Sequence, residues 1–205
     1  MKLLKYTMVL ASCGAAVLSA QAQNLVNNGS FETGSLADWA LNPSGNVGVS
    51  SVEGAADGTD AAVFNGSNGN VDGVLSQSLS TVAGSHYTLT FDYGTYGSPG
   101  VEGQTLDVDV SGTSSLLQET AVSPTGGLDT PFGAFTFSFI ADSSSTELTF
   151  TDDPGNSTHA SYNDGVLDNV SVVDPPAVPD GGSTVMLGGM SLAALAWFRR
   201  KLAQV

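Results

Sequence analysis

Lysine and arginine are missing from almost the whole chain. The five basic side chains among its 205 residues are Lys2, Lys5, Arg199, Arg200 and Lys201. All twenty acidic residues, from Glu32 to Asp180, lie between the two basic ends, where only His86 and His159 offer any positive charge. A carboxylate buried in that stretch must be protonated, hydrogen-bonded or bound to a metal ion. The net charge of −15 excludes nucleic acid as a partner, because the body repels phosphate. Cysteine is nearly absent as well: Cys13 stands alone, which leaves no intramolecular disulfide. Two histidines and one cysteine argue against a zinc site. No HExxH run and no nucleophile elbow is present. Asp152-Asp153 would supply one half of a carboxylate pair for glycoside cleavage, but the sequence marks out no second acid for it. Two acids before Pro154-Gly155 read more simply as solvated turn residues. Finally, no stretch of the body repeats its apolar residues at a helical period.

The basic ends read as address labels. Lys2 and Lys5, the apolar run Met8 to Leu18 and Ala20-Gln21-Ala22 have the order of a secretory signal peptide, residues 1–22, with the mature chain starting at Gln23. Leu10-Ala11-Ser12-Cys13 also resembles a lipobox, which would make Cys13 a lipidated terminus, but the residues after it stay apolar. At the other end, residues 175–184 form a spacer rich in Pro and Gly, and residues 185–205 an apolar helix with Arg199-Arg200-Lys201 at its end. The run Val185 to Phe198 spans roughly 21 Å as a helix, short of a hydrocarbon core of roughly 30 Å; counting from Gly182 improves the fit. The basic cluster places the C-terminus in the cytoplasm and the body outside.

Residues 23–174 have the size of one domain. Period-two runs recur: Tyr87 to Tyr93, Leu106 to Val110, Phe135 to Phe139 and Leu148 to Thr151, with a final strand at Val166 to Val173. Shorter strands are predicted at Asn24 to Asn27, Val47 to Val52, Ala61 to Asn65 and Val74 to Leu79. Asn28-Gly29, Asn65-Gly66 and Asn68-Gly69 are turn signals. Many short strands, each with one apolar face, make an all-β antiparallel sandwich.

Two resemblances follow from these residues. Val178-Pro179-Asp180-Gly181-Gly182, then the apolar helix, then Arg-Arg-Lys, resembles a VPDSG-CTERM tail, a variant of the PEP-CTERM sorting signals. Gly181 stands where that pattern more often has Ser. The resemblance implies an exosortase-type enzyme, transient anchoring in the inner membrane, and delivery to the cell envelope or extracellular matrix. Asn24-Leu25-Val26-Asn27-Asn28-Gly29-Ser30-Phe31-Glu32 with Trp39, the segments Ala55 to Gly66 and Leu79 to Asp92, and Val166 to Val172 together resemble a choice-of-anchor C domain. Such domains are galactose-binding-like jelly rolls related to carbohydrate-binding modules.

Two sets of site residues emerge. In the final strand Asp168 shares parity with Val166, Val170 and Val172, which points it inward, where no Lys or Arg can meet it. A hard cation such as calcium would serve; so would turn amides or water. The resemblance implies a structural calcium on Glu32 and Asp168, with Asp57 in its Asp-Gly turn as a weaker third ligand. For sugars, a ring stacks on an aromatic face; Tyr96 and Tyr162 are predicted for that role, while Trp39 and Tyr93 fit core or rim packing as well. The sequence therefore predicts an exported, non-enzymatic β-sandwich that binds polysaccharide. A structural matrix protein without a specific ligand is the alternative, and a glycoside-active enzyme a further one.

Overall fold

A computed structural model describes residues 23–41, 47–64, 73–152 and 163–174. The expected leader with Cys13, the turns at 65–66 and 68–69, Tyr162, the sorting motif and the C-terminal helix lie outside these residues. The described strands are β1 (Ala40–Leu41), β2 (Val47–Ser50), β3 (Ala61–Phe64), β4 (Val74–Ser80) and β5 (His86–Tyr96). They continue with β6 (Thr105–Ser111), β7 (Ser115–Val122), β8 (Phe132–Ile140), β9 (Ser145–Asp152) and β10 (Asp164–Val173). One sheet runs β1-β4-β9-β6-β7 and the other β2-β3-β10-β5-β8, with antiparallel pairing throughout.

The alternation read from the sequence explains the core. Tyr87, Leu89, Phe91 and Tyr93 of β5 face Leu106, Val108 and Val110 of β6 and Leu148 and Phe150 of β9 in one buried cluster. Phe91 sits edge-on to Phe150, ring centroids 5.2 Å apart, and stacks on Phe135 at 5.3 Å. One expected strand does not form and one strand was not expected, each for a physical reason. Residues 24–27 form no strand; Asn24 makes a single bridge to Val173, and its side-chain oxygen accepts the Val26 and Val172 amides. The strand β7 was missed because an edge strand with one buried residue, Ala121, shows no alternation.

A β-bulge corrects the parity of Asp168. The pairing of β10 with β5 shifts register between Asp168 and Ser171, and Asn169 takes a left-handed φ of 53°. Leu167, Val170 and Val172 face the main core, while Val166 joins Ala61 and Val63 on the opposite face. Asp168, paired with Asp92, therefore points away from the main core. It is nevertheless fully buried, because the segment between β2 and β3 folds over that face.

Asp142, between β8 and β9, ties down the turn joining β6 to β7. It accepts the Thr113 and Ser114 amides, both at 2.9 Å, and both hydroxyls, at 2.7 and 2.8 Å. Those hydroxyls, Thr113 first, hold its carboxyl down to about 2 from the usual 3.8. The contribution is complete above the unfolded value and vanishes as pH falls from about 3.8 to about 2. Asp142→Ala is expected to speed amide exchange at residues 112–114 at neutral pH and to leave it unchanged below that window.

Candidate functional site

The segment Ser51 to Asp60 is clasped at two points by acids from opposite ends of the body. Asp168 Oδ2 accepts the Ala56 amide at 2.8 Å and the Asp57 amide at 3.1 Å. Glu32 Oε1 accepts the Thr59 amide at 2.7 Å and the Asp60 amide at 2.8 Å. Gly58 between them has a φ of 71°, and a Cβ there would lie 2.3 Å from Glu32 Oε1, so only glycine lets the carboxylate lie this close. The third nominated acid, Asp57, is exposed and reaches Asp168 through its main-chain amide.

The two carboxylates differ in charge balance. The Asp60 and Thr59 amides hold the Glu32 carboxyl below its usual range. Burial pushes the Asp168 carboxyl up; the Asp57, Asn169 and Ala56 amides oppose this, and neighbouring Asp92 adds to it. The net direction is upward, so three amides return less than burial takes away. No lysine or arginine of the body is available to sit beside it. Oxygen-only donors suit calcium in kind. Among the described residues no three Asp, Glu, His or Cys side chains are grouped to hold a metal. Main-chain oxygens of the clasped segment would have to complete such a shell.

Of the supports of this region, Asn28-Gly29 stood out in the sequence as a turn signal and Asn169 did not. Asn169 Nδ2 donates to Asp92 at 2.9 Å. Asn28 Nδ2 donates to the Ser35 and Ala37 carbonyls, and its own carbonyl accepts Trp39 Nε1 at 3.1 Å. Gly29 packs so closely on β10 that a Cβ would sit 2.1 Å from the Val170 oxygen.

The aromatic nominations separate. Trp39 is 7% exposed, stacks on Phe31 at 5.7 Å and packs beside Phe150 at 6.2 Å. It is a core residue, not a sugar platform: the turn held by Asn28 folds its ring inward. Tyr93 is buried as well. Tyr96 remains half-buried on the outer face of β5, against the Val166 cluster. Asp152, read as a solvated turn residue, closes β9 and is 1% exposed. With Glu53 it acts on Asp164, whose carboxyl burial pushes up to about 6.

A polar face was visible in the alternation of β6 but not nominated. Asp107 and Asp109 point outward from the first sheet. The register sets Asp109 between Thr149 and Gln118, and Asp107 between Thr151 and Thr120. Gln118 Nε2 donates to Asp109 at 3.1 Å and the Thr120 hydroxyl to Asp107 at 2.7 Å. With Glu119 these four residues line an open groove of about 610 Å³.

Comparison with known proteins matches this architecture. The fold is a jelly-roll β-sandwich of the kind found in carbohydrate-binding modules. The carbohydrate-binding module TmCBM61, solved with beta-1,4-galactotriose, is 19% identical with a TM-score of 0.56, over 75% of this chain and 99% of that one. A family 16 carbohydrate-binding module is 20% identical with a TM-score of 0.52, over 74% and 100%. The xylan-binding domain CBM22-1 of Paenibacillus barcinonensis Xyn10C is 16% identical with a TM-score of 0.50, over 77% and 97%. At these identities the likeness is one of fold. Residues 177–202 match the VPDSG-CTERM motif. No curated protein sequence matches the chain.

Proposed function

We propose that this protein is an exported carbohydrate-binding module, sorted by an exosortase-type system through its tail, and not an enzyme. The observation that carries the reading is the fold: the body spans almost the full length of TmCBM61 and of the family 16 module. The sorting motif supports a destination at the cell surface. The leader would be removed, and the C-terminal helix would hold the chain briefly in the inner membrane. The partner that suits the chemistry is a hydroxyl-rich polymer, an exopolysaccharide or envelope glycan. Carboxylates and amides accept hydrogen bonds from hydroxyls, and the groove on β6 and β7 offers Asp107, Asp109 and Gln118 in a fixed register. Tyr96 is the aromatic candidate that remains among the described residues. It lies on the outer face of the other sheet and so is a contact separate from this groove. Tyr162, outside the described residues, stays a candidate as well.

Retention of the protein in gels containing embedded polysaccharides tests this reading. Asp109→Ala is expected to weaken retention about tenfold on a glycan that binds the parent, the effect of one or two lost hydrogen bonds. Tyr96→Ala should weaken it by a similar factor through lost stacking. Unchanged retention in both variants, with unchanged melting, would reject these assignments. Deleting residues 178–205 is expected to leave the body folded and to change its destination in cell fractionation. An identical distribution of the two forms would reject the tail as a sorting signal.

The clasped segment is proposed as the seat of a structural calcium ion held by Glu32, Asp168 and loop carbonyls. The support is the unbalanced burial of Asp168 in a body without lysine or arginine. The ion would neutralise two acids and tie the start of the domain to its last strand.

A further inference from the structure

On the outer face of the second sheet, Tyr96 has two acids for neighbours. The register of β10 on β5 sets Asp164 directly opposite it. Opposed residues carry their side chains on the same face, with Cβ atoms roughly 5 Å apart. Asp164 shares that face with Val166, against which Tyr96 and Phe132 pack. Glu53 comes from the clasped segment, whose Ala55 packs on the same cluster. The Glu53 carbonyl accepts the Thr130 hydroxyl, and a Cβ on Gly94 would lie 2.5 Å from Thr130 Cγ2, which sets these groups over β5. Glu53 Oε2 is buried and meets no hydrogen-bond donor among the described residues. Its charge, with that of Asp152, acts on Asp164, whose carboxyl burial already pushes up. Tyr96, Asp164 and Glu53 are all half-buried, and the body has no lysine or arginine to set between the acids.

We propose that Tyr96, Asp164 and Glu53 form a subsite for an amino sugar, with the pyranose ring on Tyr96 and its ammonium group toward the two carboxyls. The proposal rests on the carbohydrate reading and narrows it to one class of glycan. Charge complementarity selects that class. A neutral sugar offers hydroxyls to the acids and leaves their mutual repulsion in place. A uronic or sulfated sugar adds to the repulsion. An ammonium group brings a positive charge and three donors, and it is drawn to the face of a tyrosine ring as well. The twenty acids of the chain attract a polymer of such sugars from a distance. A metal ion suits the place less, because among the described residues no three acids are grouped to hold one.

The test is titration calorimetry on the full chain in mild detergent, with hexamers of deacetylated glucosamine, of N-acetylglucosamine and of galacturonic acid. The deacetylated hexamer is expected to bind about tenfold more tightly than the acetylated one, and the galacturonate hexamer not to bind. Asp164→Asn and Glu53→Gln should each weaken the deacetylated hexamer about tenfold and leave the acetylated one within about twofold. Tyr96→Ala should weaken both. Glu147→Gln, which removes a charge from the outer face of β9, should change neither by more than about twofold. Equal affinity of the parent for the two glucosamine hexamers overturns the inference and leaves the carbohydrate reading standing. Binding of no hexamer overturns it as well, and failure of retention on every embedded polysaccharide then removes the carbohydrate reading too. A lysine hexamer that binds as tightly as the deacetylated sugar also overturns it, since the site would then read charge and not sugar. The hexamer comparison on the parent decides the matter even where a variant fails to fold.

Discussion

Asp168→Ala is expected to cost about 3 kcal/mol of stability, a fall in melting temperature of about 6–12 °C for a body of this size. Three amides, those of Ala56, Asp57 and Asn169, would lose their acceptor together inside a buried site. Asp168→Asn should cost less, since an amide oxygen still accepts. Calcium separates two causes of the loss. If an ion is bound, chelation lowers the melting temperature of the parent and added calcium restores it. At a free ion concentration about a hundredfold above Kd the difference is about 2.7 kcal/mol. Asp168→Ala should abolish most of that response. Asp107→Ala, on the outer face of β6, should leave it intact. Equal melting of the parent with chelator and with calcium would leave Glu32 and Asp168 as acids satisfied by amides alone.

Trp39→Ala is expected to cost about 3–5 kcal/mol, the range for removing a large buried aromatic ring. The ring contacts Phe31 and Phe150, and its Nε1 donates to the Asn28 carbonyl. Melting should fall by about 6–20 °C. Glycan retention, measured at a temperature where the variant is still folded, should match the parent. A variant of normal stability with lost retention would return Trp39 to the surface as a sugar platform. Trp39→Phe should fall between the two in stability.

The sandwich was legible because β5, β6 and β9 alternate strictly between core and solvent. Each of these strands lies inside a sheet, paired on both edges, with one face on the core. Of the edge strands, β2 and β8 were legible from their apolar residues, but β7 and β1 were not: Ser115 to Val122 buries one residue, and β1 is two residues long. Asp168 was put forward from its parity and the want of basic partners, Glu32 from the resemblance alone, and the fold brings both to one segment. The route to Asp168 was nevertheless wrong in direction. A single left-handed residue, Asn169, reverses the parity of everything before it in β10. Nothing in the string Leu167-Asp168-Asn169-Val170 distinguishes that bulge from a straight strand. Trp39 illustrates the same difficulty: only the turn closed by Asn28 decides whether the indole faces inward.

The position of β10 has a consequence for how the protein comes into being. The last strand of the body lies between β3 and β5, at the centre of its sheet. A chain threaded through a membrane pore from its N-terminus delivers both neighbours first and must hold them apart until residues 164–173 emerge. Until then β3 and β5 each present an edge of unpaired main-chain groups. Such distant pairing makes for slow folding and a vulnerable interval.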